Sequence, residues 1–379
     1  MPSGVEEIKV DTSRRVLALD GIRALAALAV VGFHLGLEVF GGGEVGVDWF
    51  FVLSGFLVTS VLLNEIDRDR TIDVVRFMRR RVVRLVPALA ATLLVILGAV
   101  ALLEPDLIAT ASREALASAL YVSNVTAFGA VGFDRFFLHT WTLALEMQFY
   151  LVLPFIVLGL RRLGLAPVRQ VRAYIALGVV AAMTRVVGAV AFDTMPAVIS
   201  WPVFDIDRFA FGIAMAIALR SSGFLRLKLI LRSVPLACVL FVGLLADVYL
   251  SQFWPHDLRP LHNLLICSAV AVVIGHLLMV PGSQLARVLN LRLLTFIGTI
   301  SYSLYLWHFP IFELLRADVV FAGDNPVRAA AKLPLSFLVA WISYRLLERP
   351  AMRKPRPEPG PSEAASTPSP PAPNRRENV

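Results

Sequence analysis

Apolar runs long enough to cross a lipid bilayer recur along almost the whole chain, and no other feature constrains the fold as strongly. The 379 residues are 57% hydrophobic and only 17% charged, with a mean hydropathy of +0.72. Soluble domains are about 45–50% apolar. Runs of about 20 apolar residues are typical of membrane-spanning helices, which satisfy their own backbone hydrogen bonds in lipid. The sequence therefore predicts an all-α, multi-pass protein of the cytoplasmic membrane, embedded in the lipid bilayer.

These runs predict about ten transmembrane helices. The run at 209–219 is the shortest and needs its flanking residues to cross. The stretch 104–138 is predicted to be a loop with an interfacial or re-entrant helix, because a crossing there would move the basic segment after residue 160 to the opposite side. The predicted spans cover residues 16–38, 47–64, 85–103, 139–160, 173–192, 209–219, 233–250, 261–280, 293–312 and 329–347.

The basic residues alternate between loops. Seven Lys and Arg residues lie between positions 65 and 84, whereas none lies between positions 39 and 46. The same contrast continues along the chain, and the positive-inside rule then places both termini in the cytoplasm. Two cytoplasmic termini require an even number of spans, in agreement with ten. The net charge of +8 is therefore interpreted as a sign of membrane topology, and no nucleic-acid partner is expected.

The chain divides into three parts by composition. Residues 1–15 form a predicted cytoplasmic segment, residues 16–350 a membrane domain, and residues 351–379 a cytoplasmic tail rich in Pro, Ser and Ala. The tail is predicted to be disordered because such a composition cannot bury a core. Cys238 and Cys267 fall within predicted spans and are expected to pack as apolar side chains, without a disulfide. Neither a metal site nor a cofactor is expected.

Two ionisable residues bound the apolar run RALAALAVVGFH at positions 23–34. At about 100° per residue, the eleven steps from Arg23 to His34 bring both side chains to one face of a helix, about 16 Å apart along its axis. Ionisable groups inside a membrane helix are costly, and they commonly mark a functional site or a path through the membrane. The pair therefore predicts a polar cavity beside this helix.

An ordered set of short motifs accompanies this pair. The set comprises GVDWFFVLSGFL at 46–57, RRVVRLVP at 80–87, WTLALEMQFY at 141–150, SYSLYLWHFP at 301–310 and LLERP at 346–350. Together with the Arg23–His34 spacing, it resembles the acyltransferase-3 family of membrane O-acyltransferases across residues 16–350. The resemblance implies transfer of an acyl group, by default acetyl, from cytoplasmic acyl-CoA as co-substrate. The implied acceptor is a hydroxyl of a glycan, a glycolipid or a glycosylated metabolite.

Several residues fit that chemistry. The guanidinium groups of Arg80, Arg81 and Arg84 suit the phosphates of coenzyme A. His34 is the best candidate for the base that takes the hydroxyl proton, because histidine titrates closest to neutral pH. Arg23 is expected to contact either the pantetheine arm of the donor or a developing oxyanion.

The remaining candidates are residues expected to orient the base or to bind the acceptor. Glu146 is expected either to orient His34 or to bind the acceptor hydroxyl. Four further residues are weaker candidates for acceptor binding, namely Asp48, Trp141, Tyr302 and His308.

Simpler interpretations remain open for several of these residues. The arginine cluster fits any basic inner loop, and Glu146 fits a structural ion pair with Arg208 or Arg185. His139 and His308 fit an interfacial belt of His, Trp and Tyr. A transporter of a lipid-linked or polar solute is the main competing function, because many helices with buried charges also suit a permeation path. A purely structural scaffold would leave the charges in the spans unexplained.

Overall fold

The computed structural model describes residues 16–126, 135–191, 205–315 and 326–352, and within these ranges the regular secondary structure is entirely helical. The predicted N-terminal segment at 1–15 lies outside the described residues, as does the predicted tail from residue 353 onward. The helices, in chain order, are α1 Leu17–His34, α2 Gly46–Asp69, α3 Val74–Leu103, α4 Ile108–Ala119, α5 Ser123–Thr126, α6 Trp141–Arg162, α7 Pro167–Ala191, α8 Ile206–Arg220, α9 Leu225–Leu231, α10 Val234–Leu250, α11 Arg259–Met279, α12 Gln284–Leu289, α13 Arg292–Thr299, α14 Ser301–Leu314, α15 Pro326–Ser343 and α16 Arg349–Ala351, with a π-helical turn at Tyr344–Glu348 between the last two.

Seven helical segments among the described residues are long and apolar enough to cross a membrane. The prediction of an all-α, multi-pass protein is thus confirmed. The other three predicted spans correspond to α8, to α13 with α14, and to α15. The count of ten stays a prediction, as does the side on which the termini lie. The seven segments are Leu17–His34, Gly43–Asp69, Val74–Leu103, Leu138–Arg162, Pro167–Ala191, Val234–Phe253 and Arg259–Met279.

The predicted span at 293–312 is not one continuous helix, because the chain breaks between α13 and α14. Ile300 has φ −93° and ψ 4°, outside the helical region. The hydroxyl of Thr299 donates a hydrogen bond to the carbonyl of Thr295 at 2.7 Å. Such back-bonding competes with the regular helical pattern and bends helices. The break therefore falls where local side-chain chemistry weakens the helix.

The stretch at 104–138 contains no helix of spanning length among its described residues. Its longest helix, α4, has 12 residues, which is about 18 Å at 1.5 Å per residue and well short of the roughly 30 Å hydrocarbon core. This agrees with the prediction that the stretch does not cross the membrane, and whether α4 is interfacial or re-entrant stays a prediction. Residues 127–134 of the same stretch lie outside the described residues.

Glycines allow α2 and α8 to cross closely. Gly55 of α2 lies against the backbone of Phe209, and Gly212 of α8 lies against the backbone of Val52. A side chain at either glycine would meet main-chain atoms that cannot move aside. Small residues at such crossings are typical of membrane helix packing, where van der Waals contact holds helices together. The α2–α8 pair thus forms a rigid wall beside α1.

Burial distinguishes the interior helix α1 from the peripheral helices. The alanines of α1 are almost fully buried, with Ala24 and Ala26 at 0% exposure, whereas Leu102 of α3 is 84% exposed and Leu94 is 71% exposed. Exposed leucines of this kind suit contact with lipid tails. The helix that carries Arg23 and His34 is therefore enclosed by other helices, and its polar side chains face protein.

Candidate active site

His34 is the last residue of α1, and its ring is held by α14. Its Nδ1 lies 3.0 Å from Nε2 of His308. The two ring centroids are 5.1 Å apart, and the ring of Phe309 packs edge-on against His34 at 4.9 Å. His34 is half-buried, whereas His308 is fully buried. The contacts with His308 and Phe309 thus hold the ring of His34 in place, and part of the His34 side chain stays exposed.

His139 completes a group of three rings, here called the histidine cluster: His34, His139 and His308. His139 Nε2 lies 3.2 Å from the carbonyl oxygen of Leu306, and its ring centroid is 5.7 Å from that of His308. His139 and His308 are both almost fully buried inside the protein. The alternative that these two residues form an interfacial belt is therefore wrong, because belt side chains face the lipid headgroups.

A cavity of about 320 Å³ lies toward the opposite end of α1. Its charged and phenolic lining includes three guanidinium groups, two carboxylates and tyrosine hydroxyls, and the rest is largely apolar. We call it the arginine cavity. It is lined, among others, by Asp20, Arg23, Arg81, Arg84, Glu146 and Tyr302. A cavity thus lies beside α1 at Arg23, but His34 does not line it, and its ionisable residues give it an excess of positive charge.

Of the three arginines of α3 predicted to bind the donor, two line the cavity and the third points away from it. Arg81 and Arg84, three residues apart and therefore on one face, both line it. The guanidinium of Arg81 lies 5.0 Å from the ring of Tyr150, in cation–π range. Arg80 projects elsewhere: it is 57% exposed and pairs with Glu65 at 3.7 Å. Only two of the three arginines predicted to bind the donor therefore reach the cavity.

The start of α3 is set by a local cap. The carboxylate of Asp73 accepts a hydrogen bond from the backbone N–H of Arg76 at 2.8 Å, a typical N-cap contact. This hydrogen bond holds the pKa of the Asp73 carboxyl below its usual range. The cap fixes where the helix begins and so the rotation at which its arginines face the cavity.

Arg23 and Glu146 lie within the same cavity. Arg23 Nε donates to the hydroxyl of Ser301 at 3.3 Å, so both Arg23 and His34 contact α14, as their predicted shared face requires. Glu146 accepts hydrogen bonds from the hydroxyls of Ser54 and Tyr150. The interpretation that Glu146 orients His34 is therefore not supported, since the ring partner of His34 is His308.

A hydrogen-bonded partition separates the arginine cavity from the histidine cluster. The hydroxyls of Tyr305 and Thr142 are 2.7 Å apart, and the Tyr305 hydroxyl donates to the carbonyl of His139 at 2.9 Å. Both side chains line the cavity, while the Tyr305 ring lies 5.6 Å from the ring of His308 on the other side. We call this pair the Tyr305–Thr142 partition.

The acceptor candidates Asp48 and Trp141 belong to a buried ion-pair network. Asp48 pairs with Arg208 at 3.1 Å, and the Arg208 guanidinium lies 5.6 Å from the Trp141 ring. Asp205 bridges this arginine, at 3.2 Å, to Arg185, at 3.0 Å. The predicted ion pairs of Glu146 with Arg208 or Arg185 are wrong, because these arginines are paired with aspartates. Asp48 is therefore held in an ion pair with Arg208, which gives it a structural role.

The other two acceptor candidates lie in different places. Tyr302 lines the arginine cavity and donates its hydroxyl proton to the carbonyl of Leu85 at 2.8 Å. His308 lies against His34. The structure therefore does not bring the four predicted acceptor residues together into one site.

Sequence reasoning assigned no role to Glu114, which organises the approach to His139. Its buried carboxylate accepts hydrogen bonds from the backbone N–H groups of Arg135, Phe136 and Phe137 at 3.3, 3.0 and 2.9 Å. These residues lead directly into the turn that carries His139. The only hint in the sequence is a glutamate inside the stretch predicted to hold an interfacial or re-entrant helix. Its hydrogen-bond partners lie about twenty residues further along the chain, so local periodicity does not identify them.

The LLERP motif ends in a similar internal contact. Glu348 is buried in the π-helical turn and accepts a hydrogen bond from the hydroxyl of Ser303 on α14. The oxygen of the same serine accepts a hydrogen bond from the hydroxyl of Ser343 at 3.0 Å. The motif thus anchors the last part of the chain to the helix that holds both Arg23 and His34.

One phenol outside the spanning helices is also enclosed. Burial raises the pKa of Tyr121, in the turn after α4, to about 12. Its carbonyl oxygen accepts a hydrogen bond from the side-chain amide of Gln148 at 2.8 Å. This contact ties the turn after α4 to α6, the helix of Glu146.

A multi-pass helical protein with a guanidinium-lined cavity and a hydrogen-bonded histidine on one helix has the parts required of a membrane acyltransferase. The comparison with known families agrees. Residues 16–345 match the acyltransferase-3 family, described as an acyltransferase domain. The chain belongs to this family, and the prediction of the family is confirmed.

Curated relatives include three bacterial proteins. The chain is 30% identical over 350 residues to peptidoglycan O-acetyltransferase OatA of Listeria monocytogenes, covering 88% of this chain and 55% of the relative. It is 30% identical over 373 residues to O-acetyltransferase OatA of Staphylococcus aureus, with 91% and 58% covered. It is 32% identical over 368 residues to the putative peptidoglycan O-acetyltransferase YrhL of Bacillus subtilis, with 90% and 56% covered.

The chain thus spans a little over half the length of these relatives. No solved structure matches the chain.

Proposed function

We propose that this protein transfers an acetyl group from acetyl-CoA, bound in the arginine cavity on the cytoplasmic side, to a hydroxyl of a cell-envelope glycan on the outer side. The cytoplasmic membrane is the proposed location. The observation that carries the proposal is the pairing of two chemically distinct sites along α1 and α14. Arg23 contacts Ser301 at one end, and His34 contacts His308 at the other.

The charge of the arginine cavity supports a CoA donor. Three guanidinium groups face two carboxylates there, so the lining has an excess of positive charge. Arg84 Nε is buried and has no hydrogen-bond partner among the described residues. An unpaired buried guanidinium N–H costs free energy until an anion or a carbonyl accepts its hydrogen bond. Phosphate oxygens and pantetheine amides are acceptors of this kind.

The chemistry we assign to His34 is general-base catalysis. The ring takes the proton of the acceptor hydroxyl as the hydroxyl oxygen attacks the thioester carbonyl. The new C–O bond forms, the C–S bond breaks, and the proton then passes to the departing thiolate of CoA. A positioned base of this type typically contributes about 10²–10⁴-fold in rate.

Arg23 is assigned to donor binding in this scheme. It lies eleven residues before His34, about 16 Å along the helix axis, and its side chain contacts Ser301 within the cavity. An oxyanion that forms beside His34 would lie too far from Arg23 for Arg23 to reach it while still bonded to Ser301. Of the two roles expected for Arg23, the donor contact is therefore the one we propose.

The Tyr305–Thr142 partition stands between the donor cavity and His34, so the proposed transfer requires it to open. The hydroxyl of Tyr305 must leave both Thr142 and the carbonyl of His139 for a thioester to approach the histidine cluster. Net hydrogen-bond contributions of about 0.5–1.5 kcal/mol each make such an opening accessible at ordinary temperature.

The proposed acceptor is a glycan of the peptidoglycan class. Two of the relatives above are named for peptidoglycan, and an acceptor on the outer side would approach the half-buried His34. Glycolipids and glycosylated metabolites carry similar hydroxyls, and they serve as comparison acceptors in the test.

The test uses the purified protein in nanodiscs with acetyl-CoA labelled in the acetyl group. We expect release of CoA and acetylation of peptidoglycan oligosaccharides, both dependent on the acceptor. His34→Gln should lower turnover by about 10²-fold or more, while the neighbouring control Phe33→Leu should keep most of it. Movement of an unmodified solute without acetylation would favour the transporter instead. Activity of His34→Gln within about threefold of the unmodified protein would exclude the assigned base.

A further inference from the structure

The hydrogen bonds around His308 determine which of its ring nitrogens carries a proton. Nδ1 of His308 lies 3.0 Å from the carbonyl oxygen of Leu304, one turn earlier in α14. A carbonyl oxygen can only accept a hydrogen bond. Nδ1 of His308 must therefore carry the hydrogen, and in a neutral ring its Nε2 is then an acceptor.

Several observations indicate that His308 is neutral. The side chain is fully buried at 0% exposure, and burial without a counter-charge disfavours an imidazolium. Among the described residues, the ion pairs that involve histidine include only the distant pair of His262 with Asp247. The surroundings of His308 are rings, with Phe312 at 5.8 Å and Tyr305 at 5.6 Å between centroids.

The same logic then fixes His34. Its Nδ1 lies 3.0 Å from Nε2 of His308, which is an acceptor, so the Nδ1 of His34 must be the donor. A neutral His34 consequently keeps its lone pair on Nε2, the nitrogen on the other side of the ring. A chain of two hydrogen bonds thus runs from a backbone carbonyl to the proposed base and selects one of its two tautomers.

We propose that His308 is a positioning residue, a neutral hydrogen-bond acceptor that fixes the tautomer and orientation of His34 so that Nε2 receives the proton of the acceptor hydroxyl. This inference rests on the proposed function. It replaces the predicted role of His308 in binding the acceptor. In the many catalytic dyads that pair histidine with a carboxylate, an acidic side chain occupies the equivalent place.

Proton balance is simple in this arrangement. When Nε2 of His34 takes the hydroxyl proton, the ring becomes an imidazolium that continues to donate from Nδ1 to His308. His308 gains no proton over the reaction. The proton leaves from Nε2 to the thiolate of CoA, and the two rings return to their initial state.

The kinetic test compares three substitutions of His308 in the full-length protein in nanodiscs. In His308→Gln the side-chain oxygen can reach the position of Nε2 and accept from His34. In His308→Asn the shorter side chain cannot reach it, and in His308→Leu no acceptor remains. We expect kcat of His308→Leu and His308→Asn to fall by about 10²-fold or more, while KM for acetyl-CoA stays nearly unchanged. We expect kcat of His308→Gln to be at least about tenfold higher than that of His308→Leu. Phe312→Leu, which alters the packing beside His308 but leaves its hydrogen bonds to Leu304 and His34 in place, should stay close to the unmodified protein.

A spectroscopic test reads the tautomer directly. The chain has six histidines, so ring ¹⁵N signals can be assigned by substituting them one at a time in labelled protein. At neutral pH, His34 should show a protonated Nδ1 and an unprotonated Nε2, and His308→Leu should mix the two tautomers. An Nε2-protonated His34 in the unmodified protein would overturn the inference.

The two proposals fail in distinguishable ways. If His34→Gln retains activity, the proposed base is wrong. If His34→Gln is inactive but His308→Leu retains kcat within about threefold of the unmodified protein, the proposed function survives and the positioning role of His308 is excluded. If His308→Gln is as inactive as His308→Leu while both variants elute as monodisperse protein, His308 acts by packing and the inference again fails.

Discussion

The effect of the two α3 arginines that line the arginine cavity can be distinguished experimentally from the effect of a neighbouring arginine that does not line it. Arg81 and Arg84 line the cavity, whereas Arg80 is exposed and lies near Glu65. The perturbation is therefore the double substitution of Arg81 and Arg84 by Ala, with Arg80→Ala as a matched control from the same helix. The control removes one positive charge from the same end of the same helix and so tests the topological interpretation of the cluster.

The expected magnitude follows from the contacts available. A hydrogen bond to a charged group contributes about 1.5–3 kcal/mol, and each 1.4 kcal/mol is about tenfold in affinity. One such bond from each of Arg81 and Arg84 predicts a loss of at least about 100-fold in donor affinity. Arg80 is 57% exposed, so its removal should change the affinity by less than about threefold because solvent screens exposed charges.

The assay is calorimetric titration of acetyl-CoA into each purified variant in nanodiscs. Arg81 also packs on the rings of Phe77 and Tyr150, so membrane insertion and thermal unfolding are measured in parallel. A well-folded double variant that binds acetyl-CoA as tightly as the unmodified protein would refute the donor site. Equal weakening by Arg80→Ala would show that the effect is one of general surface charge.

Three further predictions concern the hydrogen bonds of Glu114, the Tyr305–Thr142 partition and the orientation of the chain in the membrane. Glu114→Ala should lower the free energy of unfolding by about 3 kcal/mol or more, because it leaves three backbone N–H groups near His139 without their acceptor; an unchanged melting temperature would contradict this. Tyr305→Phe should raise acceptor-independent hydrolysis of acetyl-CoA by roughly fivefold, the equivalent of about 1 kcal/mol of lost hydrogen bonding in the partition; an unchanged hydrolysis rate would show that the hydroxyl does not restrain opening. A cysteine at Val39, which is 66% exposed, should react with an impermeant thiol reagent in intact cells, whereas one at Asp69 should react only after permeabilisation; the reverse pattern would invert the predicted orientation.

Local periodicity explains which parts of the site were predictable. The shared face of Arg23 and His34 depends only on 3.6 residues per turn, and both residues do contact α14. The same periodicity does not separate Arg80 from Arg81, since they lie four and three residues before Arg84 and both spacings share its face. The helical class and most spans follow from apolar run length. The break at Ile300 does not, because the apolar run continues on both sides of it.

The partner of His34 could not be obtained in this way. His308 lies 274 residues further along the chain, and nothing in the local pattern of either helix selects the other. Glu146 is the intuitive partner, because a carboxylate is the common companion of a catalytic histidine, yet it faces Ser54 and Tyr150 in the arginine cavity. The reason is the direction in which α6 crosses: each residue after Trp141 moves about 1.5 Å further from the His139 turn, so Glu146 lies beyond the partition.

This placement divides the charges of the site between two environments. Carboxylates and guanidinium groups are gathered in the arginine cavity, whereas the histidine cluster contains only imidazole rings surrounded by aromatic side chains. A carboxylate beside His34 would favour its protonated form and would make the ring a poorer proton acceptor at neutral pH. A neutral partner keeps the lone pair of Nε2 available. The separation of Glu146 from His34 by the Tyr305–Thr142 partition therefore favours a neutral resting state of the proposed base, and moving a carboxylate to position 308 should make transfer depend on higher pH.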